Sequence, residues 1–153
     1  MSKKLLFALC LGLLGGCGGE DWGLDQHGRT VADEQLSGRW LVINYWAEWC
    51  APCRKEVPEL NHLSASLPAD RARVLGVNFD ALQGEELATA VRALGIDYTN
   101  LASDPAARLG LERSAVLPVT WLVDPQGRVR ERLNGEQEAE HLAARLRALG
   151  AGL

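Results

Sequence analysis

An apolar, β-prone run ends at Trp46, and the chain then presents Cys50 and Cys53 across Ala51 and Pro52 at the start of a helical pattern. A thiol at a helix N-terminus meets the positive end of the macrodipole and several unpaired N–H groups, all of which favour the thiolate. Thiolate is the attacking species in disulfide exchange, and cysteines in such pairs have pKa values lowered from ~8.5 to about 3.5–7.5. A second thiol across two residues can resolve the mixed disulfide, so the chemistry on offer is two-electron dithiol/disulfide exchange. Two other uses of the pair compete. Half of a structural zinc site would need further ligands. The other cysteines, Cys10 and Cys17, lie in the N-terminal segment, and His27, His62 and His141 are scattered singly, so no metal is expected. A purely structural bridge would close so short a loop that it would constrain little unfolded-state entropy.

The N-terminus has the pattern of a targeting segment. Lys3 and Lys4 precede an uncharged apolar run, Leu5 to Leu14, which is far shorter than the ~20 residues of a membrane-spanning helix. Leu14-Gly15-Gly16-Cys17 follows and resembles the bacterial lipobox, in which cleavage precedes a cysteine that becomes lipidated; Phe7-Ala8-Leu9 before Cys10 fits it less well. Residues 1–16 are therefore expected to be a lipoprotein signal peptide, 17–22 a polar tether and 23–153 one domain. Loss of the signal removes two lysines and no acid, making the rest two units more negative than the −4 of the whole chain. That acidic balance argues against nucleic acid as a partner. No internal repeat is present.

The elements that must position the cysteines follow from periodicity. Gly23 to Val31 reads as a small hairpin, and Leu41 to Trp46 as a buried strand. Cys50 to about Ser66 should be helical, interrupted or kinked near Pro58. Val74 to Phe79 is a second buried strand, Gly84 to Leu94 a helix stopped by Gly95, and Ile96 to Leu101 a short strand. Ser103-Asp104-Pro105 should open a short helix. Val116 to Val123, with Pro118 inside it, reads as a core strand, Asp124 to Gly127 as a turn and Arg128 to Leu133 as an edge strand. Glu136 to Leu149 is an amphipathic last helix. The order β-α-β-α-β-α-β-β-α predicts an α/β fold, a mixed sheet with helices on both faces.

WAEWCAPC before a helix resembles thioredoxin, and LPVTWLVD resembles its cis-proline strand; the likeness runs from about Gly23 to Leu149. Three departures give the subgroup. Asn44 stands where thioredoxin has a buried Asp, the stretch from Cys53 to Pro118 is longer by a helix and a short strand around 84–101, and a hairpin replaces the first strand and helix. With the lipobox, these features resemble the TlpA/ResA-type envelope-tethered thiol–disulfide oxidoreductases. The resemblance implies a thioredoxin fold and a redox disulfide Cys50–Cys53. Cys50 would be the exposed nucleophile and Cys53 the less accessible resolving thiol. Pro118 would follow a cis bond with Leu117, and together with Trp49 and Pro52 these residues would contact an extended client segment. Trp46 should be a core aromatic.

A carboxylate near Cys53 could take its proton. Asn44 cannot, since an amide does not titrate near neutrality. Glu48 is a candidate for tuning the pair, whereas Glu56 and Glu59 read as solvated. The expected activity is reduction of disulfides in exported proteins, apocytochrome c among the clients the resemblance implies. Electrons would come from a DsbD-type membrane donor, with no cofactor. Val116-Leu117-Pro118-Val119 departs from the Gly-Ala-Pro-Glu of the cytochrome-assembly branch. The alternatives are a disulfide oxidase or isomerase, or a thiol-based metal chaperone. The expected setting is a periplasm-facing monomer anchored by lipid on Cys17, with a lean to the outer membrane because Gly18 rather than Asp follows it.

Overall fold

A computed structural model describes residues 20–112 and 114–153. The signal peptide and residues 17–19 of the tether, Cys17 among them, fall outside these residues. Five strands form one mixed sheet in the order β3-β2-β1-β4-β5. The strands are β1 (Trp40–Trp46), β2 (Ala72–Asn78), β3 (Thr99–Leu101), β4 (Val119–Val123) and β5 (Val129–Asn134). β1, β2 and β3 run parallel, as α-helical crossovers require, while β4 and β5 are antiparallel additions. The helices are α1 (Ala51–Ser66), α2 (Gly84–Leu94), α3 (Ala106–Leu109) and α4 (Ala139–Ala148). A 3-10 turn occupies Asp33–Gln35.

Alternation along β1 sends Trp40, Val42 and Trp46 into one apolar core with α1, α2 and α4, and Leu41, Ile43 and Tyr45 into a second core on the opposite face. A strand buried on both faces is what the unbroken run WLVINYW encodes. The expected N-terminal hairpin is present as the Leu24–Thr30 bridge, and Asp25 ties it to Leu101 of β3.

Several details differ from the sequence reading, among them that β3 begins only at Thr99. α1 runs without interruption through Pro58, which lies on its outer face, where the carbonyl that proline cannot serve meets water. β4 begins at Val119, so Pro118 precedes the ladder instead of lying within it. α4 starts at Ala139, three residues late, and the backbone N–H of Gln137 just before it donates to a side chain of α1.

Gly76 of β2 leaves no room for a side chain in the core. A Cβ there would lie 2.0 Å from Oδ1 of Asn100. Asn100 has no room to yield: Trp46 Nε1 donates to its Oδ1 at 2.7 Å, and its own Nδ2 donates to the Tyr98 carbonyl at 3.0 Å. Gly76→Ala should therefore cost about 2–5 kcal/mol, from overpacking plus a broken buried hydrogen bond. A thermal midpoint lowered by about 10 °C or more is the expected readout; an unchanged midpoint would show that the Asn100 contact is soft.

Candidate active site

β1 delivers the chain through Ala47-Glu48-Trp49 to Cys50, the N-cap of α1, whose extended backbone lets its sulfur accept from the Cys53 N–H at 3.2 Å. Cys50 and Cys53 are joined in a disulfide with a Cα–Cα distance of 5.3 Å. Neither sulfur-bearing residue stands free: Cys50 is 4 % and Cys53 1 % exposed. The expectation of an exposed Cys50 is corrected to a small difference in access, because both residues pack into the core beneath α1.

Around the pair lies an apolar rim. Trp49 is 63 % exposed and is held upright by donating from Nε1 to Asp80 Oδ2 at 2.8 Å and by an edge-on contact with Phe79 at 6.1 Å. Pro52 is exposed, as is Val116. The Leu117–Pro118 bond is cis. The β1–β4 ladder ends at Tyr45–Val119, which sets Pro118 at the end of the sheet from which the Cys50 loop leaves. Leu117 packs against both cores. On the far face of the sheet, a cleft of about 320 Å³ opens at this end, lined by Tyr45, Phe79, Asp80 and Trp121 among others. Trp46, by contrast, is a buried core residue.

Glu48 is an exposed rim residue whose backbone carbonyl accepts from Arg54. The carboxylate that does lie beneath the cysteines is Glu56, which corrects the reading of that residue as solvated. Cys53, Glu56, Val57, Leu60 and Leu63 form the buried stripe of α1, so Glu56 stands one helical turn below Cys53 on the same face. It is 1 % exposed. Asn44 Nδ2 donates to its Oε1 at 2.6 Å and the Gln137 N–H to its Oε2 at 3.1 Å. Burial pushes its pKa up to about 7; the two hydrogen bonds pull the other way, and the charge of Glu136 adds to the rise. Glu59 is half-buried and accepts from the Ala139 N–H at 3.0 Å, so both acids of α1 cap the approach to α4. The signal available in the sequence was the three-residue spacing from Cys53 along the apolar stripe.

This arrangement provides a dithiol at a helix start, a recessed second sulfur and a carboxyl whose proton affinity is matched to neutral pH. Among the described residues, no group of three or more His, Cys, Asp or Glu is placed to hold a metal ion, and no helix is long and apolar enough to cross a membrane.

Comparison with known proteins agrees with this chemistry. The pattern of the AhpC/TSA family matches residues 20–132. The thiol:disulfide interchange protein HelX of Rhodobacter capsulatus is 34 % identical over 120 residues, covering 75 % of this chain and 63 % of HelX. The thiol–disulfide oxidoreductase ResA of Bacillus cereus is 30 % identical over 129 residues, covering 82 % of this chain and 72 % of ResA. The chain thus spans somewhat less than two thirds of HelX and rather more of ResA. Among solved structures, a DsbF homologue from Corynebacterium diphtheriae superposes with a TM-score of 0.69 at 27 % identity, covering 82 % of each chain.

Proposed function

We propose, for a chain that belongs to the AhpC/TSA family and stands among its thiol–disulfide oxidoreductases, that it reduces disulfides of exported proteins with Cys50 as attacking and Cys53 as resolving thiol. The observation that best supports this is the pair's position: a bridge closed on the N-cap of α1, with a buried carboxyl one turn beneath it. The Cys50 thiolate attacks a client disulfide, forming a mixed disulfide and releasing one client thiolate. Cys53 then attacks the Cys50 sulfur, the Cys50–Cys53 bond forms, and the second client sulfur leaves as thiolate. Two electrons pass to the client, and the proton of Cys53 goes to Glu56. The client lies extended along Leu117 and Pro118, its backbone pairing with that of Leu117 like an added strand, with Trp49 and Pro52 as apolar platform.

What surrounds the sulfurs supports the reducing direction. A strong oxidant needs its thiolate form stabilised well beyond thioredoxin's: the gap from about −270 to about −120 mV is roughly 7 kcal/mol. No His lies within the CxxC. Arg54 is exposed and turned back to the Glu48 carbonyl, and Lys55 is exposed and paired with Glu136 at 2.7 Å. In an oxidising compartment such a pair needs a dedicated dithiol donor, of the DsbD type, to stay reduced. The equilibrium reduction potential against dithiothreitol should fall nearer about −270 than about −120 mV. A value near the upper figure, or refusal of electrons from a DsbD-type donor, would make the protein an oxidase.

Residues 1–16 serve in this reading as signal peptide, and Leu14-Gly15-Gly16-Cys17 supports lipidation at Cys17. Acyl chains on that residue would hold the domain at an envelope membrane, facing the periplasm. Mass spectrometry of the mature protein should find diacylglycerol on Cys17. An unmodified N-terminus elsewhere would leave the enzyme soluble in that compartment.

A further inference from the structure

Four buried side-chain atoms have no hydrogen-bond partner among the described residues, and three of them belong to groups around Glu56: Asn44 Oδ1, Gln137 Oε1 and the Tyr98 hydroxyl. Two of these oxygens can only accept, and the third can accept as well as donate. The ionised carboxyl already has its donors, Asn44 Nδ2 at 2.6 Å and the Gln137 N–H at 3.1 Å. The cluster is therefore in surplus of acceptors and short of hydrogens. Once Glu56 takes a proton it becomes a donor itself, and on Oε1 that hydrogen would face the N–H of Asn44.

Asn44 has a way out. Its Nδ2, which carries two hydrogens, also donates to Thr120 Oγ1 at 3.1 Å. Asn44 and Thr120 are paired across the β1–β4 ladder, which fixes the spacing of their side chains. A half turn of the carboxamide exchanges Nδ2 for Oδ1 with almost no change of shape, because the two ends of an amide are nearly the same size. Oδ1 would then accept from the protonated Glu56 on one side. On the other it would accept from Thr120, whose hydroxyl both donates and accepts. Every hydrogen bond in the row Glu56–Asn44–Thr120 is reversible, and one end of the amide is unpartnered in either state. An Asp at position 44 would add a second buried carboxyl, and a Leu would offer neither end.

We infer that Asn44 is a positioning residue whose carboxamide turns over when Glu56 gains a proton, with Thr120 reversing its hydrogen bond in step. This rests on the reading in which Glu56 receives the proton of Cys53. The titratable groups facing Glu56 are Cys53 on its own helix, Tyr98 from the segment before β3, and Glu136 from the β5–α4 loop, which Lys55 faces. β1 presents the amide of Asn44 to it, and β4 presents Thr120 to that amide.

The test is NMR on the isotope-labelled, reduced protein across about pH 5 to 9, following the Glu56 carboxyl carbon together with the Asn44 side-chain amide. The expected result is loss of the cross-relaxation peaks from the Asn44 Nδ2 protons to the Glu56 methylene and the Thr120 methyl, at the pH where the Glu56 carbon titrates. Thr120→Ser should keep this exchange of position and Thr120→Val should abolish it. If the carbon titrates while the amide peaks persist at both ends of the range, the turnover is overturned and the role of Glu56 stands. A Glu56 carbon that never titrates would remove that role and the turnover with it. An exchange that survives in Thr120→Val would exclude Thr120 from the chain and refute the reversal.

Discussion

Cys50→Ser is expected to reduce insulin-disulfide reduction to the uncatalysed background, while Cys53→Ser stops after one attack and accumulates as a mixed disulfide. The two sulfurs differ little in burial, so the difference must come from the helix start. The sulfur of Cys50 already accepts the Cys53 N–H at 3.2 Å, and as a thiolate it would keep that bond and gain the favourable end of the helix dipole. Cys53 lies inside the first turn, with its side chain in the apolar core and a carboxyl beneath it. It is therefore suited to act second, once a client occupies Cys50. Quantitative alkylation of the reduced protein below neutral pH should label Cys50 first. Faster labelling of Cys53 would reverse the assignment.

The features legible in the sequence were those written in local pattern. Unbroken β-branched and aromatic runs gave β1 and β2, Gly95 stopped α2 in the left-handed conformation, and the CxxC stood at the strand–helix junction where it was expected. Pairing of Asp25 with Leu101, and of Glu56 with Asn44 and Gln137, joins residues far apart in the chain, and no local pattern announces it. Glutamate on a helix is exposed by default, since burying it unpaired is costly. Only the amide on β1 and the free N–H before α4 make the burial of Glu56 tolerable, and both become visible when the strands are assembled. Position, not residue type, also separates the two tryptophans: Trp46 is the last inward residue of β1, whereas Trp49 lies in the turn beyond it.

Replacing Glu56 should change both rate and stability, in opposite senses. As proton acceptor for Cys53, a carboxyl poised near neutrality is worth about 10²-fold or more, so Glu56→Gln should slow the resolving step by that order and flatten its dependence on pH around 7. Stability moves the other way. Burial raises the Glu56 pKa from 4.5 to about 7, which means that the folded protein binds this proton more tightly than the unfolded chain does. Its contribution is therefore complete below about pH 4.5 and is lost as pH rises through about 7. The loss amounts to about 3 kcal/mol at ~1.36 kcal/mol per pKa unit. The carboxyls of Asp25, Asp33 and Asp124 have the opposite sign: hydrogen bonds to neighbouring residues hold their pKa values below 3.8, so their stabilisation is in place before this window opens. Denaturant unfolding of the oxidised protein from about pH 5 to 8 should thus show wild type losing stability relative to Glu56→Gln, by a difference that grows with pH. Histidines common to both proteins cancel in that difference. Parallel pH curves for the two would mean that Glu56 enters the fold already ionised at little cost, and a carboxyl of that kind would be too weak a base to take a proton from Cys53.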